Sequence, residues 1–123
     1  MTAGLDTKMT PLQGSLWKIL RRRFYGIENA APRAAVLAWY NVSSDERTDL
    51  NDREFRDVIS VLVSVFEKPI CTTPGKGYYV ARNPAEKQEA VNYLDSVLRE
   101  VGQRRAGLVA SKTEEEQSQE ALL

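Results

Sequence analysis

The sequence contains no histidine and a single cysteine, Cys71. Without histidine, the chain has no imidazole for a nucleophile–histidine pair, for general acid–base catalysis or for a typical metal site. One cysteine can form no disulfide within the chain and cannot build a cysteine-rich zinc site. We therefore predict a non-enzymatic protein that binds neither a metal nor a cofactor.

Long apolar segments are also missing. The longest apolar-rich stretch, residues 58–66, is interrupted by two serines and is much shorter than the ~20 residues that a membrane-spanning helix needs. The N-terminal segment lacks the apolar core of a secretory signal. We expect a soluble, cytoplasmic protein with no membrane partner.

The charges cancel in total but not along the chain, which has 17 basic and 17 acidic residues. Residues 111–123 contain one lysine and four glutamates, so residues 1–110 carry a net charge of +3. We predict a flexible N-terminal arm over residues 1–11, one domain over 12–108 and an acidic tail over 109–123. The tail is either disordered or a frayed end of the last helix, or it competes with nucleic acid for the basic surface.

Apolar residues recur at helical spacing in four places. The predicted helices cover residues 12–24, 32–40, 52–67 and 84–105. Gly26 and Pro69 mark the ends of the first and third helices. The polar stretch 41–50 between the second and third helices is predicted as a loop.

The third predicted helix has the clearest local signal. Asn51 followed by Glu54 forms a capping box at its start. The fourth helix has Asn83 as its N-cap and Pro84 at its first position. The apolar stripe of the third helix consists of Phe55, Val58, Ile59, Leu62, Val63 and Phe66.

Two β-prone pieces, residues 70–72 and 78–81, flank a turn that contains Pro74, Gly75 and Gly77. This pattern predicts a small hairpin. The resulting order is three helices, a hairpin and a long C-terminal helix. We predict a mainly α fold with a small β-hairpin, arranged as a winged helix-turn-helix. In a helix-turn-helix, the recognition helix enters the major groove of DNA.

Short motifs in the hairpin and the last helix also favour a winged helix-turn-helix. They are Pro69-Ile70, Gly77-Tyr78-Tyr79-Val80, Asn83-Pro84, Glu86 and Tyr93-Leu94. With them, residues 69–101 resemble the wing and final helix of small phage and prophage winged-helix proteins. Upstream, Glu28-Asn29-Ala30 and Asp52-Arg53-Glu54-Phe55-Arg56 resemble the same family's entry into the helix-turn-helix. The resemblance covers about residues 12–108. The family joins its second and third helices by a tight turn, whereas this chain has the stretch 41–50.

The resemblance implies a protein that binds duplex DNA in phage or prophage transcription regulation or in replication, inside a bacterial host cell. Arginine forks suit guanine edges and phosphates, and a lysine on a glycine-rich turn suits a phosphate. Lys76 is followed by Gly77, which excludes a Walker A loop. The predicted DNA-binding residues are Arg33, Asn51, Arg53, Arg56, Ser60, Lys76 and Arg82.

Each of these assignments has a structural alternative. Arg53 and Arg56 can pair with neighbouring carboxylates on a solvated face, and Lys76 can be a solvated turn residue. The run Arg21-Arg22-Arg23 either complements the dipole of the first helix or contacts the DNA backbone. The aromatic side chains are predicted to lie mostly in the core, although one of Tyr78 and Tyr79 should be exposed, because neighbours on a strand point to opposite faces.

Two partners other than DNA follow from the sequence. The last helix has more apolar residues than one short domain needs to cover, which favours a homodimer through residues 83–108. The neutral net charge and the acidic tail favour a second function, a winged-helix interaction module that binds and modulates a host protein. Both stand beside the DNA-binding prediction.

Overall fold

The computed structural model describes residues 8–43 and 49–122, and within them the protein is mainly helical with one small antiparallel sheet. The helices are α1 (Pro11–Arg23), α2 (Arg33–Ser43), α3 (Asp52–Ser64), α4 (Pro84–Ala110) and α5 (Glu114–Leu122). The strands are β1 (Ile70–Thr73) and β2 (Gly77–Val80). This confirms the predicted mainly α fold with a hairpin. The chain divides into two units, Met1–Ala90 and Val91–Leu123.

Local capping explains where the helices begin. The Thr10 hydroxyl accepts a hydrogen bond from the N–H of Gln13, and the side-chain oxygen of Gln13 accepts one from the N–H of Thr10, so α1 begins at Pro11. The predicted capping box of Asn51 and Glu54 is confirmed at the start of α3. Of the N-terminal arm predicted over residues 1–11, residues 1–7 lie outside the described residues.

The core of the first unit lies between α1, α2, α3 and one face of the hairpin. Phe55 of α3 is fully buried and packs its ring edge-on against Tyr78 of β2, with centroids 5.4 Å apart. Such an aromatic pair adds stabilisation beyond the apolar area that it buries. The other fully buried side chains of this cluster are Leu16, Leu20, Val36, Tyr40, Leu62 and Val80.

The hairpin is covered on both faces. Tyr78 faces the helical core, whereas Tyr79 is fully buried in a second cluster with Cys71 and Ala90. The prediction that one of the two tyrosines is exposed was therefore wrong, because the first turns of α4 cover the outer face of the hairpin. The Tyr79 hydroxyl donates to the Glu86 carbonyl at 3.0 Å, and burial raises the pKa of Tyr79 to about 12.

The segment before α2 adds one residue to the sheet. Ala31 forms an antiparallel bridge with Tyr78, with N–H···O distances of 2.8 and 3.1 Å. Gly77, at φ 99°, lies directly against the Ala31 carbonyl, and a Cβ atom there would overlap it. A glycine is therefore required at this position, both for the backbone conformation and for the close approach.

Helix α2 is longer than predicted, since residues 41–43 are helical rather than part of a loop. Asn41 explains the extension, because its side-chain amide bonds to the backbone of Leu50 in both directions, at 2.9 and 3.2 Å. This pair of hydrogen bonds ties the end of α2 to the segment before α3. Residues 44–48 of the predicted loop lie outside the described residues.

The second unit consists of the distal part of α4 and of α5. No residue from Val91 to Leu122 is buried. The tail, for which the sequence predicts disorder or a frayed helix end, forms α5, with the Thr113 hydroxyl accepting from the N–H of Glu116. Glutamates in its first turn are favourable at a helix N-terminus. In the part of the chain that the structure describes, no helix is long and apolar enough to cross a bilayer.

Candidate nucleic-acid interface

Helix α3 presents a polar face to solvent, opposite its buried stripe. Arg53, Arg56 and Ser60 are exposed and recur at intervals of three and four residues, which places them on one side of the helix. Asp57 is exposed on the same side. The face therefore combines two guanidinium groups and a hydroxyl, which can bind DNA, with one carboxylate, which repels phosphate.

Asp52 joins this face to the start of α2. Its carboxylate lies 2.5 Å from Nε of Arg33 and 3.5 Å from Nε of Arg56. The three side chains are about half exposed, so each ion pair contributes little to stability. A guanidinium has five N–H donors, and one carboxylate leaves several of them for another anion. The ion pairs thus hold two of the predicted arginines together at the N-terminal ends of α2 and α3.

Lys76 lies in the turn that joins β1 and β2, and its side chain is exposed. Its backbone N–H donates to the Thr73 carbonyl at 3.2 Å, which closes the turn. Gly75 and Gly77 flank the lysine with φ angles of 80° and 99°. This turn presents a flexible cation on a narrow backbone ridge, an arrangement suited to a phosphate rather than to a base edge.

A continuous series of contacts links the hairpin turn to the two helix starts. Gly77, next to Lys76, packs on the backbone of Ala31 and Pro32. Arg33 follows directly in the chain and contacts Asp52, which in turn contacts Arg56. The series connects the backbone beside Lys76 with two other predicted cations, Arg33 and Arg56. Asp52 is the member that sequence reasoning did not assign to the site.

Arg82 has a different environment. Its backbone N–H and its guanidinium donate to the Glu86 carboxylate at 2.7 to 3.1 Å, and Nη1 lies 2.5 Å from Oε1 of Glu28. Glu86 is buried, and the hydrogen bonds from Arg82 lower its pKa. Arg82 follows β2 at the end away from the hairpin turn. Its geometry is that of a structural bridge between the hairpin, the 3₁₀ turn at Ile27–Asn29 and α4.

Two other predicted residues of this region, Asn51 and Ser60, differ in whether their side chains are free. The side-chain oxygen of Asn51 accepts from the N–H of Glu54 at 2.8 Å and thereby caps α3. The carbonyl of Ser60 accepts from the Ser64 hydroxyl at 2.7 Å, while the Ser60 side chain remains exposed. Capping occupies the Asn51 oxygen, whereas Ser60 is available to a ligand.

The basic end of α1 contains a feature that sequence reasoning missed. The Arg23 guanidinium lies over the Trp39 ring, 4.3 Å from its centroid. Trp39 is 41% exposed, which makes it an exception to the prediction that the aromatic side chains lie mostly in the core. A cavity of about 460 Å³ next to this pair is lined by Lys18 and Arg22 among others. A stripe of apolar residues on α2 cannot reveal such a cross-helix contact.

Within residues 8–43 and 49–122, no three cysteine, aspartate or glutamate side chains form a cluster that could hold a metal ion. The chain matches no protein-family model, no curated protein and no solved structure. The resemblance to phage and prophage winged-helix proteins therefore rests on the motifs quoted above and on the order of the elements.

Proposed function

We propose that this chain is a non-enzymatic winged-helix protein that binds duplex DNA, and that it regulates phage or prophage transcription or assists replication in the cytoplasm of a bacterial host. The observation that carries the proposal is the contact series from Gly77, next to Lys76, through Arg33 to Arg56. It connects the hairpin turn with the starts of α2 and α3, and each of these three segments carries one of the proposed cations.

The expected mode of binding follows from these positions. Helix α3 enters the major groove and presents Arg53, Arg56 and Ser60 to base edges or to flanking phosphates. Arg33 binds a phosphate at the start of α2, where the free N–H groups of the helix also favour an anion. Lys76 at the tip of the wing neutralises a phosphate beside the groove.

The decisive experiment measures the affinity for a random-sequence duplex by fluorescence anisotropy at several salt concentrations. Binding should weaken by at least about tenfold between about 50 and 200 mM salt, because each neutralised phosphate releases counterions. The double variant Arg53→Ala/Arg56→Ala should bind more weakly and lose about one unit of salt slope per lost phosphate contact.

The matched control is Lys87→Ala/Arg99→Ala, which removes the same charge from exposed positions on α4. It should keep the parent's affinity and salt slope within error. Equal losses in the two double variants would mean that only net charge matters, and an unchanged affinity in the α3 variant at low salt would remove this helix from the interface.

Asp52, which lies between Arg33 and Arg56, offers a substitution that should strengthen DNA binding rather than weaken it. Asp52→Asn removes the carboxylate that lies between Arg33 and Arg56, so both guanidinium groups become fully available to phosphate. We expect tighter duplex binding by several-fold, with a steeper salt dependence. The exposed Glu100→Asn variant serves as its control, and a weaker affinity for Asp52→Asn would argue against a phosphate at this position.

A second candidate function is a winged-helix interaction module that binds a host protein. It is favoured by the exposed apolar patch of Ala38, Trp39 and Val42 on α2, since tryptophan is frequent at the centre of protein interfaces. The same titrations separate the two functions. An interaction module shows no salt-dependent duplex binding, and Trp39→Ala abolishes its retention of a host protein while leaving the fold intact.

A further inference from the structure

The distal part of α4 carries an apolar stripe that packs against no other part of the described chain. Its spacing alternates between three and four residues, which is the a/d pattern of a coiled coil. The stripe consists of Val91, Leu94, Leu98, Val101, Arg105 and Leu108, and we call these six residues the α4 seam.

The apolar members of the α4 seam are all exposed. Leu94, Leu98 and Leu108 are 56%, 70% and 74% exposed, and Val91 and Val101 are also in contact with solvent. Exposing so many large apolar side chains in one line is unfavourable in water, and such a patch marks an interaction site. The regular spacing indicates that the missing partner is another helix.

A second copy of the same helix fits this surface. Val91–Ala110 is 20 residues of continuous helix, or about 30 Å in length. Pairing two such seams would bury on the order of 1,200 Å² in total, which is the lower end for a specific, stable interface. The pattern is also self-complementary, because a and d positions alternate along the whole α4 seam and each can face the other type on a second copy.

Arg105 determines the orientation. In a parallel pair, equivalent a positions face each other, so two Arg105 guanidinium groups would meet in one layer. In an antiparallel pair, Arg105 packs instead against Leu94 of the second copy. The neighbouring residue there is Asp95, which is exposed and can accept the guanidinium while the arginine stem covers the leucine.

The remaining layers of the antiparallel pair are apolar. Val91 faces Leu108 of the second copy, and Leu98 faces its Val101, each contact occurring twice by symmetry. Within the described residues, neither Asp95 nor Arg105 forms an ion pair in the monomer. In this register, the apolar layers and the contact between Arg105 and Asp95 form together.

We propose that the protein forms an antiparallel homodimer through the α4 seam, with Arg105 of each copy paired to Asp95 of the other. The dimer has a two-fold axis, and two-fold related DNA-binding modules recognise palindromic sites. The dimerisation itself depends only on α4 and does not require the proposed DNA binding, so either can fail without the other.

Sedimentation velocity from ~1 to ~100 µM tests the association. The full chain should sediment as a dimer at the upper concentrations, and Leu98→Glu should remain a monomer with unchanged helix content by circular dichroism. The matched control is Val42→Glu, which places the same charge on an apolar position of α2 that is more exposed than Leu98. A parent chain that stays monomeric overturns the proposal, and so does loss of the dimer in both variants.

Disulfide trapping tests the orientation. Val91→Cys and Leu108→Cys are made separately, mixed and oxidised. The antiparallel pair predicts a covalent dimer between the two different variants and little from either alone. Cross-linking of each variant with itself would indicate a parallel pair and overturn the proposal. The parent chain, whose Cys71 is buried, is the control for non-specific disulfides.

Charge reversal tests the ion pair. Asp95→Arg and Arg105→Asp each bring like charges together and should raise the dissociation constant by about tenfold. The double variant restores opposite charges in exchanged positions and should return the dissociation constant close to that of the parent. The assigned register would be overturned if the double variant lost as much dimerisation free energy as the two single variants lose together.

Discussion

Helices α3 and α4 carry apolar stripes of similar spacing, yet α3 buries three of its stripe residues, Phe55, Ile59 and Leu62, whereas the distal part of α4 leaves its stripe in solvent. Phe55 and Leu62 of α3 are completely buried, whereas Leu98 and Leu108 of α4 are more than two-thirds exposed. Helical periodicity predicts that a helix has an apolar side. It does not indicate whether the partner of that side lies in the same chain.

The two units of the chain differ in the same way. In the unit that ends at Ala90, two clusters of buried side chains surround the hairpin. In the unit from Val91 onward, helices are stabilised by local hydrogen bonds and by ion pairs such as Lys112 with Glu120. We expect substitutions in the first unit to change the free energy of unfolding, and those in the second to change helix content and association.

The largest difference is expected between matched truncations in the two stripes. Phe55→Ala removes a fully buried ring and its edge-on contact with Tyr78, which should cost ~4 kcal/mol of the free energy of unfolding. Leu98→Ala removes an exposed side chain and should change the free energy of unfolding of a dilute sample by less than ~0.5 kcal/mol. Urea titrations at low micromolar concentration give both values, and similar losses in the two variants would contradict the division into units.

Next in size is the close approach at the hairpin turn. Gly77→Ala combines a positive φ with overlap against the Ala31 backbone and should cost ~3 kcal/mol. Gly75→Ala has a similar φ with open space around the new Cβ, so it should cost ~1 kcal/mol. The difference between the urea midpoints of these two variants measures how much the contact between the turn and the start of α2 contributes to the free energy of unfolding. Equal midpoints would show that this contact contributes nothing.

A smaller effect is expected from Glu86, a carboxylate in the first turn of α4. Hydrogen bonds from Arg82 lower the pKa of buried Glu86 below its unfolded value. Its stabilising contribution is therefore present above pH ~4.3 and is lost as the pH falls through the lower folded-state pKa. Glu86→Gln should unfold at lower urea than the parent at pH 7, and the gap should narrow below pH ~4.

The control for this pH dependence is Glu100→Gln, in the exposed distal part of the same helix. It should follow the parent at every pH. A gap between the parent and Glu86→Gln that stays constant from pH 7 to pH ~3 would contradict the charge-dependent role of Glu86.

The smallest effect tests the second unit alone. Gly102 lies within α4, and a Cβ atom there would meet no other atom within 4 Å. Gly102→Ala should therefore stabilise the helix by ~0.5–1 kcal/mol through reduced backbone entropy in the unfolded chain. On mild heating, circular dichroism at the helix band should show a modestly higher helix content in Gly102→Ala than in the parent. The urea midpoint of the first unit should be the same in both proteins. A loss of helix would indicate an unrecognised contact at Gly102.

The sequence predicts those parts of the fold that depend on near neighbours. The capping box of Asn51 and Glu54, the hairpin and the start of α4 after Asn83 were all correctly placed, because each depends on residues only a few positions apart. The burial of Tyr79 was missed, since it requires α4 to pack on the hairpin. The extension of α2 to Ser43 was also missed, because Asn41 bonds to a residue nine positions away.

The same distinction applies to the candidate interface. The outward face of α3 follows from its stripe, so the exposure of Arg53 and Arg56 was predictable. The ion pair between Arg33 and Asp52 joins two helices and has no local signature. Arg82 was predicted to bind DNA, whereas its guanidinium bonds to Glu86, four residues along the chain, and to Glu28, which lies 54 positions away. Salt bridges between distant segments are therefore the part of the site that a single sequence reveals least.

The thiol of Cys71 can report local opening of the fold around the hairpin. Cys71 is buried in the cluster with Tyr79 and Ala90, and burial raises the pKa of the thiol. A maleimide can reach it only when the hairpin and the first turns of α4 separate, so the labelling rate under native conditions measures how often that opening occurs. Because the sequence has no other cysteine, mass spectrometry of the intact chain can follow the opening without any engineered probe.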